Sequence, residues 1–168
     1  MKVFQDAVLW ALELEQLNVE DPEDEIRMGR QYLGYFYVTG SEIYQKPLPD
    51  MNGFSRERDE EMIHWISTDE ADFLAACRLV CAEEGTENRA DEQGWHSYVE
   101  ADGEKRIYHM YNDYTGGTKE YERIVWERGK GIIYYLHGAG SSLMEVEIGF
   151  DLYDDVGGRG SSVAVDDL

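Results

Sequence analysis

Cysteine and proline are scarce in this chain. Its 168 residues include three prolines and two cysteines, Cys77 and Cys81, which lie four positions apart. A disulfide between two such close positions cannot stabilise a fold of this size, which excludes a secreted scaffold built on disulfides. The two cysteines therefore predict a reducing, cytoplasmic location. Because hydrophobic residues make up 42% of the chain, we expect a packed core rather than disorder.

Long apolar runs are also absent. Asp6, Glu13 and Glu15 interrupt the first hydrophobic segment, and no later stretch reaches the roughly 18 consecutive apolar residues that a membrane helix needs. The sequence therefore predicts neither a signal peptide nor a transmembrane segment.

Positive charge is the third shortage. The chain has 15 lysines and arginines against 36 aspartates and glutamates, which gives a formal net charge of −21. Such a surface repels phosphate backbones and lipid headgroups, so a basic protein is the expected partner, and direct binding to nucleic acid or membrane is not expected. The excess is concentrated early, because residues 1–100 hold 23 acids and 8 bases.

The acidic clusters of the first hundred residues are the first candidates for binding that partner. They would form one surface if the fold brought them together, and they comprise Glu20, Asp21, Glu23, Asp24, Glu25, Asp59, Glu60, Glu61, Asp69, Glu70 and Asp72. Tyrosine is common in interfaces, and three tyrosines at the end of the first predicted hairpin join them, namely Tyr108, Tyr111 and Tyr114. Packing within the sheet is the alternative role for each tyrosine.

Helical signals dominate the first part of the chain. Apolar residues recur at helical spacing over residues 3–17, which predicts the first helix. Asp21 before Pro22 is typical of a helix start and predicts a short acidic helix over residues 22–29. The tyrosine-rich segment 32–38 predicts a strand.

Two further helices are expected before residue 90. The first covers residues 56–65. Ser67 and Glu70 then form a capping-box pattern, which predicts a helix that continues past Cys81 and is closed by Gly85.

From residue 94 onward the apolar pattern alternates, which indicates strands. Five antiparallel strands are predicted at Trp95–Ala101, Glu104–Tyr111, Tyr121–Arg128, Gly131–His137 and Met144–Leu152. The fold class is therefore α+β, with N-terminal helices packed on a C-terminal antiparallel β-meander of about five strands. We expect a single domain over residues 1–153 and a flexible C-terminal tail over residues 154–168.

The dipeptide Asp102-Gly103 predicts a two-residue hairpin turn. That register pairs Glu100 with Lys105 and places His96 directly opposite His109. Two opposed imidazoles are candidate ligands for a metal ion, but no motif supplies a third ligand, so neither a metal site nor a cofactor is predicted.

Other motifs have structural explanations. Cys77 and Cys81 would share a helix face, where buried core cysteines are far commoner than zinc ligands. The run Gly138–Ser142 lacks the lysine and the following helix of a phosphate-binding loop, so it is expected to be a flexible loop between strands.

These observations favour an acidic, non-enzymatic binding protein. A basic partner is most simply a nuclease or another nucleic-acid-binding protein, so the chain would be an inhibitor. A toxin immunity protein, a phage or plasmid anti-defence protein and a nucleic-acid mimic are forms of this hypothesis. Two alternatives remain open, a small enzyme with His96 or His109 as general base, and a salt-adapted domain whose acid confers solubility.

Overall fold

The computed structural model describes residues 2–4, 9–16, 29–48, 53–112, 119–141 and 144–151. Two compact units make up the chain, residues 1–79 and residues 80–168, and each is described by itself. The predicted single domain over residues 1–153 stays a prediction, and the predicted tail lies outside the described residues. No helix of the described part is long and apolar enough to cross a membrane.

The first sheet has five strands that follow one another in chain order. They are β1 (Lys2–Phe4), β2 (Leu9–Gln16), β3 (Gly29–Thr39), β4 (Glu42–Lys46) and β5 (Arg78–Ala82). Two helices come between β4 and β5, namely α1 (Arg56–Thr68) and α2 (Glu70–Ala75). The strand predicted at residues 32–38 is confirmed within β3, whereas the helix predicted at 22–29 falls outside the described residues, apart from Gly29, which begins β3.

The helix predicted at residues 3–17 is wrong, because the described residues of this segment form strands β1 and β2. Its alternating leucines and glutamates fit a strand as well as a helix, and pairing with β3 decides the outcome. The pairing register shifts between Leu12 and Glu13, opposite Gly34 and Tyr32, so one extra residue of β3 bulges there.

The helix predicted at 56–65 is confirmed as α1, and Ser55 caps it by accepting a hydrogen bond from the Arg58 backbone N–H at 3.2 Å. The capping box at Ser67 is wrong, because the Asp69 carboxylate caps α2 and accepts from the Asp72 N–H at 3.0 Å. The predicted continuation past Cys81 is also wrong. Helix α2 ends at Ala75, and the next residues form β5.

The helices pack on the first sheet. The buried side chains Leu9, Ala11, Tyr35 and Tyr37 of the strands meet Met62, Ile66 and Phe73 of the helices in one hydrophobic cluster. The predicted α+β class is therefore confirmed. The predicted arrangement, with N-terminal helices before the meander, is only partly correct, because strands both precede and follow α1 and α2 in sequence.

The second sheet is an antiparallel meander of six strands. They are β6 (Arg89–Ala90), β7 (Trp95–Asp102), β8 (Lys105–Asn112), β9 (Lys119–Glu127), β10 (Gly131–Ser141) and β11 (Met144–Asp151). All five predicted C-terminal strands are present, and β6 is a short addition at the edge. Residues 138–141, expected in a loop, instead extend β10 because they pair with β11. The alternation along β11 also predicts that Val146, Ile148 and Phe150 are buried, and the side chains of this strand lie outside the described residues.

The first hairpin has a different register from the one predicted. Asp102 pairs with Lys105, so the turn residues are Gly103 and Glu104. Gly103 has φ +56°, and two-residue hairpin turns require a positive φ at their first central position. The glycine therefore takes that position, and His96 faces Tyr111 while His109 faces Tyr98.

Alternation along the second sheet separates a buried face from a half-exposed one. Val99, Tyr108, Ile124 and Tyr135 are each at most 2% exposed and lie on the buried face. The intervening residues of β7 and β8 lie on the other side of the pleat. We call this other side, formed by His96, Tyr98, Glu100, His109 and Tyr111, the hairpin face.

Candidate functional site

Three of the acids predicted to bind a partner are engaged inside the first unit. The hydroxyl of Tyr35 donates to the buried Asp59 carboxylate at 2.7 Å. The hydroxyl of Tyr37 donates to Glu70 at 2.8 Å. The Trp65 indole N–H donates to Asp72 at 3.0 Å. The pairing of acids with aromatic residues that suggested an interface therefore links the helices to the sheet and to each other.

The other described acids of the helices are exposed but separated. Glu60 pairs with Arg56 one turn earlier at 2.7 Å, and Asp69 is occupied as the cap of α2. Glu61 is exposed on α1 near Glu60. Glu60 and Asp69 are nine positions apart in the chain, which is roughly 13 Å along a helix, so the two groups do not form one patch. The predicted residues Glu20, Asp21, Glu23, Asp24 and Glu25 lie outside the described residues.

Burial explains the protonation state of the helix-facing tyrosines. Desolvation, followed by the hydrogen bond to Glu70, raises the pKa of Tyr37 to about 12. Desolvation and Asp59 raise the pKa of Tyr35 well above its usual value. Both hydroxyls therefore remain hydrogen-bond donors to their carboxylates at neutral pH.

The buried pair of Tyr35 and Asp59 yields a stability prediction. We expect Tyr35→Phe to lower the free energy of unfolding by about 2 kcal/mol, because a hydrogen bond to a buried carboxylate contributes about 1.5–3 kcal/mol. Tyr44→Phe is the matched control, since its hydroxyl donates to Glu42 at a half-buried site, and a loss of less than about 1 kcal/mol is expected. Urea denaturation measures both, and equal losses would contradict the role of burial.

The three candidate tyrosines do not form a cluster. Tyr108 is 1% exposed on the buried face of the second sheet, so it is removed from the candidate binding residues. Tyr111 lies on the half-exposed hairpin face, and Tyr114 is outside the described residues. Tyr108 and Tyr111 are three positions apart, and residues an odd number of positions apart along a strand point to opposite faces of the sheet.

The hairpin face carries two stacks of aromatic rings. His96 stacks on Tyr111 with ring centroids 4.8 Å apart and planes 4° from parallel. Tyr98 stacks on His109 at 4.5 Å and 13°. These separations match the spacing of neighbouring strands, so the rings stack in the direction from β7 to β8. Their ring edges therefore point away from the sheet.

Polar side chains hold both stacks in place. The Asn88 amide donates to the Tyr111 hydroxyl at 2.9 Å, and its oxygen lies 3.2 Å from His96 Nδ1. In the second stack, His109 Nε2 lies 3.1 Å from Glu100 Oε2. Each imidazole therefore has one nitrogen engaged by a neighbouring side chain.

The face continues onto the next two strands. Tyr121 of β9 pairs with Tyr111, and Arg123 pairs with His109. Gly138 of β10 lies beside Tyr121, and a Cβ atom at position 138 would overlap the tyrosine ring. The glycine therefore gives the Tyr121 ring room to lie against the sheet.

Exposed carboxylates are concentrated in the hairpin and in the segment that precedes it. Residues 83–104 contain eight acids and one base, Arg89, and all eight acids are exposed. The side chains of four of them make no ion pair or hydrogen bond within the described part of the chain, and we call Glu84, Glu87, Glu92 and Asp102 the acidic rim. Glu83 and Glu104, by contrast, both contact Arg128.

His109 gives this face a pH dependence. Burial lowers its pKa below the ordinary 6.5; Glu100 opposes this shift, and Arg123 adds to it. The folded chain therefore binds this proton less readily than the unfolded chain, and the stability contributed by the neutral ring is lost as pH falls below about 6.5. We expect a drop from pH 7.5 to 5.5 to destabilise the wild type more than His109→Gln, as measured by urea unfolding. The same pH dependence in both proteins would contradict this prediction.

The predicted pairing of His96 with His109, the two candidate metal ligands, is not present. His96 and His109 share a face but lie diagonally, each across from a tyrosine. Among the described residues, no group of three or more histidine, cysteine or acidic side chains could hold a metal ion. Cys77 and Cys81 are free, half-buried thiols, and burial raises the pKa of each to about 11, so both are unreactive at neutral pH.

Comparison with protein-family models, with curated proteins and with solved structures finds no match to this chain. The functional interpretation therefore depends on the chemistry of its own residues. The hairpin face and the acidic rim combine aromatic contact area, fixed polar groups and unpaired carboxylates within one hairpin and the segment that precedes it.

Proposed function

We propose that the chain is an acidic, non-enzymatic binding protein that docks on a basic protein through the hairpin face and the acidic rim. The observation that carries the proposal is that half-buried, stacked aromatic rings and exposed carboxylates occur in the same hairpin and the segment that precedes it. Protein interfaces commonly combine an aromatic centre with a polar rim, and carboxylates steer a basic partner toward such a centre.

A nuclease or another nucleic-acid-binding protein is the proposed partner class. Such proteins carry cationic clefts that attract a surface with a net charge of −21. The chain would then act as an inhibitor by steric and electrostatic blocking, as a toxin immunity protein or a phage or plasmid anti-defence protein does. We propose a cytoplasmic location, because free thiols at Cys77 and Cys81 suit a reducing compartment.

The test compares two sets of carboxylates of equal size. The rim variant carries Glu84→Gln, Glu87→Gln and Glu92→Gln, and the helix variant carries Glu57→Gln, Glu60→Gln and Glu61→Gln. Each tagged protein captures partners from the cell that encodes the chain, and mass spectrometry identifies them.

We expect the wild type and the helix variant to capture proteins of high isoelectric point, and we expect the rim variant not to capture them. If the rim variant still captures these proteins and the helix variant does not, the binding site for the partner lies on α1. Capture of no basic protein by the wild type would contradict the function itself and leave the acid as a solubility feature.

A further inference from the structure

Residues 84–94 follow the outer edge of β7 without contributing a side chain to any core, and we call them the strap. Nine of the eleven residues are exposed, and the other two are glycines, Gly85 and Gly94. The strand in this segment, β6, is only two residues long. A segment with no buried side chain has little to oppose its local opening.

Hydrogen bonds and the short pairing of β6 attach the strap to β7. The Thr86 N–H donates to the Val99 carbonyl, and the Val99 N–H donates to the Thr86 hydroxyl, both at 2.8 Å. The Asp91 N–H donates to the Trp95 carbonyl at 2.8 Å, and the Trp95 N–H donates to the Asp91 carboxylate at 2.9 Å. Two side-chain oxygens therefore accept hydrogen bonds that the carbonyls of a longer strand would accept.

Gly85 allows the strap to lie against β7. It has φ +74°, and a Cβ atom there would come within 2.8 Å of the Val99 carbonyl oxygen. This oxygen accepts the hydrogen bond from Thr86, the next residue of the strap. The attachment of the strap at this end therefore requires a glycine at position 85.

Closure of the strap completes the hairpin face. Asn88 belongs to the strap, and its side chain donates to the Tyr111 hydroxyl and contacts His96 Nδ1. These contacts exist only while the strap lies on β7. Three of the four acidic-rim residues also belong to the strap, so closure fixes their positions relative to the stacked rings.

We infer that the strap opens and closes on β7 as a unit while the rest of the second sheet stays paired, and that closure assembles the docking surface. The partner then favours the closed strap, because only this state holds Asn88, the rim and the stacked rings together. The role of closure rests on the proposed function, whereas the opening depends on the strap alone.

Amide hydrogen exchange of the full chain, followed by NMR, tests the opening. Four N–H groups join the strap to β7, those of Thr86, Asp91, Trp95 and Val99. We expect these four to share one degree of protection and to exchange about 100-fold faster than the amides between β8 and β9. Exchange as slow as that between β8 and β9 would overturn the inference.

Gly85→Ala should speed the exchange of the four groups by about a further tenfold, because the added carbon collides with the Val99 carbonyl. Gly129→Ala is the matched control. Gly129 has a similar φ, +77°, and a Cβ atom there meets nothing within 4 Å, so strap exchange should not change. If Gly85→Ala speeds exchange equally in the strap and between β8 and β9, the strap does not open separately and the inference is wrong.

A disulfide tests the role of closure. Arg89 pairs with Ser97, and the Cα atoms of paired residues lie about 4.5–5.5 Å apart, which suits a disulfide. The lock variant adds Arg89→Cys and Ser97→Cys to Gly85→Ala. In the capture experiment, Gly85→Ala should retain about one tenth of the basic protein that the wild type retains, the oxidised lock variant should restore capture, and the reduced one should not.

Failure of the proposed function gives a different result. The wild type then captures no basic protein, and the exchange rates still decide whether the strap opens. Capture that is lost in the rim variant but equal in the oxidised and reduced lock variants would keep the function and overturn the role of closure.

Discussion

Gly34→Ala is expected to lower the free energy of unfolding by about 3–5 kcal/mol, a large part of the roughly 5–15 kcal/mol that holds a domain folded. Gly34 has φ +101°, where a residue with a side chain is strained by about 1–3 kcal/mol. Its Cβ would also overlap the carbonyl oxygen of Lys46 and approach the Cα of Pro47 to 3.0 Å. These are backbone atoms, so β4 would have to move, at a further cost of about 1–3 kcal/mol.

Gly40→Ala is the matched control for this prediction. Gly40 also has a positive φ, +58°, but a Cβ there meets nothing within 4 Å. It therefore reports the backbone strain alone, and a loss of about 1–2 kcal/mol is expected. Urea denaturation of both variants separates strain from collision, and equal losses would show that β4 accommodates the added carbon.

The association rate with the basic partner should fall steeply with added salt. Steering by unpaired carboxylates raises association rates by about 10- to 1,000-fold at low ionic strength, and the gain is lost as the screening length shortens to about 8 Å. Stopped-flow mixing with the captured partner at low and at high salt measures this change. The free protein should show the opposite trend, because salt relieves repulsion among its own acids and raises its stability.

Charge reversal identifies which acids steer the partner. Glu87→Lys with Glu92→Lys should slow association more than any single tyrosine change on the hairpin face. Asp59 is unsuitable for this purpose, because it is buried against Tyr35 and its reversal would report on folding. An association rate that does not depend on salt would contradict electrostatic steering, even if the complex forms.

Sequence patterns correctly predicted the strands and the helix whose apolar pattern or capping residue agrees with their place in the fold. The strands of the second sheet alternate clearly because one of their faces is buried, and α1 begins at a good capping residue. Strand β2 was missed because its leucine–glutamate pattern also suits a helix, and its partner β3 begins 13 residues after β2 ends.

The candidate site was predicted in part. Tyr111, His96 and His109 were named from the sequence, and all three lie on the hairpin face. Tyr98 was not named, because its importance depends on a register that Gly103 shifts by one position. Asn88 lies eight residues before His96 in sequence, and only the pairing of β6 with β7 brings it to that ring.

The stacked rings also give the hairpin face an intrinsic spectroscopic reporter. The ring current of a tyrosine shields protons that lie above its plane, so the carbon-bound protons of His96 and His109 should resonate upfield of those of the exposed His64. The chain has four histidines, so these two signals are easily resolved in a proton spectrum of unlabelled protein. A ligand that separates either stack would move its histidine signal downfield, whereas a ligand bound on α1 would leave both unchanged.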